Sequence, residues 1–295
     1  MEVPSHVAEV LALEPDGLGP LRSPVMLIAL TGLFDIGGAA TAALDRFAPA
    51  DLAVTAGEID ADPFYDFTQE RPHVEFEEED DEVRVIRWPQ NQFDVVRGQG
   101  ERDLVVLVGV EPHLAWRTYA DCISHVARVL GCEAVVTVGS AAEAVPHTRT
   151  PLVTGSTTDA DLARRLGIGQ PTYQGVTGVV GVIQSRLAAD GIPSVSLRVG
   201  VPHYLMNAEH PSAMAALQTH LGHVLGVPVP DDVSLRDEIA RWRHLHDEVV
   251  EGDVQLQFYV RMLEQDYDRR AEAAIPTADD LGAQFEAFLR DQRDS

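Results

Sequence analysis

The residues best equipped for chemistry lie just past four apolar runs. Gly32 to Gly38, with Asp35 inside it, follows Val25–Leu30. Glu111, Pro112, His113 and Arg117 follow Leu104–Val110. Gly139 and Ser140 follow Ala134–Val138, and His203 and Tyr204 come shortly after Pro193–Val199. Each residue type offers a distinct capability. Glycines at a helix start expose backbone N–H groups that can hold an anion, and Gly32 to Gly38 leads into such a start. The run is not G-x-G-x-x-G, so a plain turn is the competing reading, and Asp35 is either an acid/base or a helix cap. Arg117 could clamp a phosphate or carboxylate as a two-pronged fork, or simply pair with Glu111. His203 is the best lone general base, unless it is a structural hydrogen-bonded imidazole. Thr177 and Gly178, in the glycine-rich stretch Gly175–Gly181, could present backbone donors or only permit close packing.

Other constellations are incomplete. Ser140 lacks a G-x-S-x-G elbow, so a hydrolase nucleophile is not expected. His220-x-x-His223 and His244-x-His246 have neither a cysteine partner nor an H-E-x-x-H frame, so no metal is expected. All 22 basic residues are arginine. Without lysine there is no phosphate-loop lysine, no kinase strand lysine and no Schiff base, and those classes drop out. No cofactor is expected.

The elements that position these residues follow from hydrophobic pattern. Continuous apolar runs suit strands buried on both faces of a parallel sheet. Between them, residues 39–47, 116–130, 159–166, 179–189 and 210–225 read as helices, with Gly167 and Asp190-Gly191 as stops. A second short strand lies within 51–59. Val74–Phe76 and Val83–Trp88 alternate on either side of the acidic run 77–82 and read as a β-hairpin. That run is either a solvated tip or a site for a basic partner. The expected fold is an α/β three-layer sandwich with a mostly parallel or mixed central sheet over residues 1–228.

From residue 229 to 295 the pattern becomes helical. Leu235, Trp242, Val249, Leu256 and Leu263 recur every seven residues, with Ile239 and Val260 beside them. Gly252-Asp253 interrupts the repeat, so two helices are expected. Thr277 should cap a final helix carrying Leu281, Phe285, Phe288 and Leu289. This segment is expected to pack on the body or a neighbouring subunit, or to serve as a partner-binding arm.

Composition narrows the partners. The formal net charge is −25. Such a chain forfeits the counterion release that drives binding to nucleic acid and repels anionic membrane surfaces, so neither partner is expected. Cys122 and Cys132 form no C-x-x-C pair and read as buried reduced thiols. The first residues lack a signal-peptide pattern, and no apolar run is long enough to span a bilayer, so a cytoplasmic location is expected.

Several motifs in one order carry a family resemblance. They are Gly109-Val110-Glu111-Pro112, Trp116-Arg117, Val145-Pro146-His147-Thr148-Arg149, Thr154-Gly155, Tyr173-Gln174-Gly175, Thr177-Gly178 and Val201-Pro202-His203-Tyr204. With Gly32–Gly37, Tyr65-Asp66-Phe67, Arg71-Pro72 and Trp88-Pro89, the chain resembles the proteasome assembly chaperone 2 (PAC2) family, in its high-GC Gram-positive branch. The resemblance implies a purine nucleoside phosphorylase-like fold and a homo-oligomer, a trimer among the arrangements open to it. It implies a protein-binding or assembly role with no established reaction, and a protein partner met through the C-terminal helices. The alternative is a small-ligand or enzyme pocket for a nucleoside, nucleotide or other anion, formed by Gly32, Asp35, Glu111, Arg117, Thr177, Gly178 and His203. Eukaryotic members dock on the proteasome with a C-terminal hydrophobic-Tyr-any tripeptide. Arg293-Asp294-Ser295 differs, so that mode of docking is not expected.

Overall fold

The computed structural model describes residues 3–47, 49–77, 80–99, 101–227, 229 and 232–274. The helix expected from Thr277 onward lies outside them. In chain order the elements are α1 (Ser5–Ala8), β1 (Leu11–Leu13), β2 (Val25–Thr31), α2 (Ala39–Phe47), β3 (Ala53–Ile59), β4 (His73–Glu77), β5 (Asp80–Arg87), β6 (Asn91–Gln99) and β7 (Arg102–Val110). They continue with α3 (Trp116–Val129), β8 (Ala134–Glu143), β9 (Val153–Ser156), α4 (Ala160–Leu166), α5 (Val179–Ala189), β10 (Ser194–Pro202), α6 (Pro211–Leu225), α7 (Val233–Glu251) and α8 (Val254–Ala274).

Eight strands form one mixed sheet in the order β1-β3-β6-β7-β2-β8-β10-β9. Its centre, β7-β2-β8-β10, is parallel. The pairs β6–β7, β3–β6, β1–β3 and β9–β10 are antiparallel. The apolar runs therefore mark the parallel centre, as expected. The antiparallel wing was not visible in the sequence beyond β3. The hairpin β4–β5 forms a separate two-stranded sheet.

The strand pleat divides the core into two. Met26, Ile28 and Leu30 of β2 face one side with Val105 and Leu107 of β7, and α3 and α5 cover them. Val25, Leu27 and Ala29 face the other side with Leu104 and Val106, under α2 and α6. Alternate residues of a strand point to opposite faces, so an uninterrupted apolar run is what a doubly covered strand needs. Full burial of Leu27 or Ile28 contributes about 1.5–3 kcal/mol each. α4 has the stop its sequence suggested, Gly167 at φ +66°, and at its other end Asp159 accepts from Asp161 and Leu162 N–H.

Residues 60–90 leave the sheet after β3 and return at β6. Their return is fixed by Asn91, whose buried side chain donates to Tyr65 Oη and Val110 O and accepts from Val110 N at 3.1 Å.

Candidate functional site

The carboxyl ends of β7, β2, β8 and β10 line up along one edge, as the open α/β rule requires. The loop after β2 is organised by two carboxylates. Glu111 N donates to Thr31 O at 2.9 Å, and Glu111 Oε2 accepts from Leu33 N at 3.0 Å. Gly32 has φ +134°, and a Cβ there would sit 2.9 Å from that same Oε2, so only glycine fits. Half-burial pushes the Glu111 carboxyl above its ordinary range, partly offset by the Leu33 hydrogen bond.

Asp35 is 6% exposed. Its oxygens accept from Ala40 N at 2.7 Å, Thr41 N at 3.2 Å and Thr41 Oγ1 at 2.6 Å, capping α2. Ser140 Oγ lies 3.1 Å from Asp35 Oδ1 and 2.7 Å from Ile36 O, and Ser140 N donates to Phe34 O. Both groups are spent on tying the β2 loop to β8. Gly178 meets the same loop: a Cβ there would clash with the edge of the Phe34 ring, 2.2 Å from Cε2. Thr177 lies over Gly181 at the start of α5.

His203 belongs to a different group. Its Nδ1 donates to Glu143 O at 3.0 Å, and its Nε2 accepts from Tyr259 Oη of α8, also at 3.0 Å. Beside it, His147 has a fully buried side chain. Tyr204 Oη accepts from His147 N at 2.9 Å and donates to Nδ1 at 2.7 Å, and Nε2 donates to Asp247 of α7 at 3.1 Å. Trp242 and His246 of α7 lie against the His147 ring, at 6.2 and 6.4 Å between centroids. Arg149 forks onto Asp268 with two 2.8 Å bonds and reaches Glu264 at 3.1 Å. Tyr267 Oη donates to Thr150 O at 2.8 Å. Residues 147–150 and 203–204 thus form a polar clamp on α7 and α8, the two helices expected around Gly252. Burial lowers the basicity of His147 and, by the same cause, of His210, which lies 5.3 Å from the Trp242 ring.

The predicted residues are therefore grouped in two. Gly32, Asp35, Glu111 and Gly178 gather around the β2 loop. His203 stands just past the end of β10, three strand spacings across the sheet from Glu111, which is at least about 14 Å. Arg117 lies exposed in the first turn of α3, and no ion pair joins it to Glu111 among the described residues. Sequence reasoning singled out His147, Arg149 and Tyr204 only as motif residues. The partners of His147 and Arg149, which are Asp247, Glu264 and Asp268, lie about a hundred residues away, and His203's partner Tyr259 lies 56 away, in a segment with no motif beyond its seven-residue repeat. Among the described residues no cluster of three or more His, Cys, Asp or Glu side chains could hold a metal ion.

Fold and edge together define a three-layer α/β protein with a mixed sheet, its carboxyl edge clamped by two C-terminal helices. The model of the PAC2 family matches residues 29–250, and the chain belongs to that family. It is similar to a PAC2 family protein from Streptomyces avermitilis and to a proteasome-assembly chaperone homologue from Mycobacterium tuberculosis. In each case identity is 34% and the TM-score 0.71, covering 80% of this chain and 99% of the other. A second M. tuberculosis protein, of unknown function, is 26% identical with a TM-score of 0.75, covering 90% of both chains. Among curated proteins no sequence matches the chain. No described helix is long and apolar enough to cross a membrane.

Proposed function

We propose that this PAC2 protein is a protein-binding, assembly-type factor that acts as an oligomer through the carboxyl edge of its sheet and the helices clamped there. One observation carries the reading. Asp35, Ser140, His147 and His203 at this edge are engaged in internal bonds, while several of the side chains around them that meet solvent are large and apolar. Val176 is 92% exposed, and Leu33 and Tyr173 are each 74% exposed, with Leu114 beside the neighbouring loop. Gly178 against Phe34 brings the 173–178 loop to the β2 loop, so these side chains form one neighbourhood. Clustered exposed apolar groups mark protein contacts. The 34% identical relative described as a proteasome-assembly chaperone homologue supports an assembly role. The small-ligand reading is not favoured: Asp35 and His203, its acid/base groups, are both engaged and lie in separate groups.

The test is sedimentation velocity of the purified chain, together with cross-linking in the native host, for the parent and for Leu33→Asp with Val176→Asp. The reading expects loss of self-association or of a specific cross-linked partner with unchanged circular dichroism. Unchanged association in both experiments would overturn it.

A further inference from the structure

A second surface lies at the opposite, antiparallel wing of the sheet. The hairpin β4–β5 is a sheet of its own, and its register sets Val74 opposite Ile86 and Phe76 opposite Arg84. Residues directly opposite in an antiparallel pair share a face. Val74, Phe76 and Ile86 therefore lie together, with Arg84, and each of the three is more than half exposed. Trp88, also exposed, follows just past the strand and packs its ring against Phe67. Two strands alone make a marginal sheet, and an apolar face open to water marks a contact surface. At its base the hairpin walls a groove of about 710 Å³, lined there by Ile86 and Trp88. The floor is the paired face of β1 and β3, where Ala12 stands opposite Glu58. Glu9, Glu58, Asp60 and Asp62 line the groove as well. All four are exposed, and none joins an ion pair among the described residues.

We propose that this groove docks an amphipathic basic helix of a partner protein, its apolar stripe on Val74, Ile86 and Trp88 and its cationic flank on the four carboxylates. Backbone chemistry selects a helix. The floor strands already bond each other, so an extended segment lying on them would leave its own N–H and C=O groups unpaired. A helix satisfies its own groups and gathers side chains three and four residues apart into one apolar stripe. Charge selects the source. A second copy carries a formal net charge of −25, and the chain's own residues 277–295 hold five acids against two arginines, so both meet the carboxylates with like sign. The hairpin's acidic run at 77–82 continues that sign beyond Phe76, and Arg84 is the one cation on the apolar face. A partner helix bearing lysine or arginine gains attraction on its flank and burial on its stripe. The idea rests on the protein-binding reading above but on a different surface, and each can fail alone.

The probe is a capped, fluorescein-labelled peptide of leucine and lysine, with leucines at i, i+3, i+4 and i+7, followed by anisotropy with the full chain. A shuffled peptide of the same composition, whose leucines share no helical face, should bind at least about tenfold more weakly. Val74→Thr with Ile86→Thr, β-branched replacements at exposed strand positions, should weaken the patterned peptide by about the same factor. Glu9→Gln with Glu58→Gln should weaken it at least about threefold. Leu152→Thr beside β9 and Asp161→Asn on α4, both exposed and outside the groove, should each alter affinity less than about twofold. Trp88→Phe is a further groove variant with little risk to folding. Unlabelled peptide should shift the parent's tryptophan emission to the blue, and this variant should lose the shift. Equal affinity for the shuffled peptide, a blue shift that persists in Trp88→Phe, or equal effects of the groove variants and the two outside variants would mean general attraction to an acidic protein and overturn the proposal. That result would leave the Leu33/Val176 test untouched.

Discussion

Replacing Asp35 discriminates a structural carboxylate from a chemical one. Asp35→Ala removes the acceptor for Ala40 N, Thr41 N, Thr41 Oγ1 and Ser140 Oγ. Two of the losses are partly repaired: Thr41 Oγ1 already lies 3.3 Å from Gly38 O, and Ser140 Oγ keeps Ile36 O. The two backbone N–H groups at the start of α2 have no such substitute. Leaving a buried donor unsatisfied costs about 1–3 kcal/mol, and a lost N-cap costs about 1 kcal/mol on the same donors. Counting the two donors once each gives about 3 kcal/mol. For a domain of this size that corresponds to about 6–12 °C in Tm. Asp35→Asn retains one acceptor oxygen and should cost about half as much. The assay is guanidinium unfolding at pH 7, followed by far-UV circular dichroism and by tryptophan emission. If Asp35→Ala unfolds within about 1 kcal/mol of the parent, the capping argument is wrong and a chemical role for Asp35 reopens.

Three further outcomes are expected. His147 and His210 hold less basic imidazoles in the folded state, so the unfolded chain binds more protons as pH falls through about 6.5. Their contribution is present above that pH and lost below it; Tm should decline from pH 7.5 to 5.5, and His147→Gln should flatten the decline. Gly37→Ala should cost at least about 2 kcal/mol in the same unfolding assay, because φ is +68° and the new Cβ would sit 2.5 Å from Ala208 O and from the His210 ring. Burial pushes the Cys122 and Cys132 thiols up to about 12, so neither should react with iodoacetamide at pH 7.5 within minutes, while both should after denaturation.

The legible part of this fold was the part packed on both faces. β2, β7, β8 and β10 announce themselves because burial on two sides forces continuous apolar runs, and α2 to α6 follow from their stops and faces. β6 stayed hidden because one side of its alternation is polar and it opens on Asn91-Gln92. β1 is three residues long, too short for any period to show. At the site, Gly32 and Asp35 could be found because part of each role is local: a positive φ in one case, a helix cap within six residues in the other. The His147 clamp could not, because its bonds span about a hundred residues and pattern reasoning carries no information at that separation. The clue available was the single seven-residue repeat through Trp242, which marked a face needing a partner without saying which.

Ile59 and Asn91 face each other across the β3–β6 pair, so the chain departs and returns at one point of the sheet. The stretch between them is anchored near its start as well: Phe64 is buried against Tyr119 of α3 and its carbonyl accepts from His113 and Leu114 N–H, while Tyr65 is tied to Asn91 and Val110. Beyond Phe64 and Tyr65 the β4–β5 hairpin forms a sheet of its own, which makes the hairpin the natural place for one shared scaffold to acquire new preferences in the company it keeps.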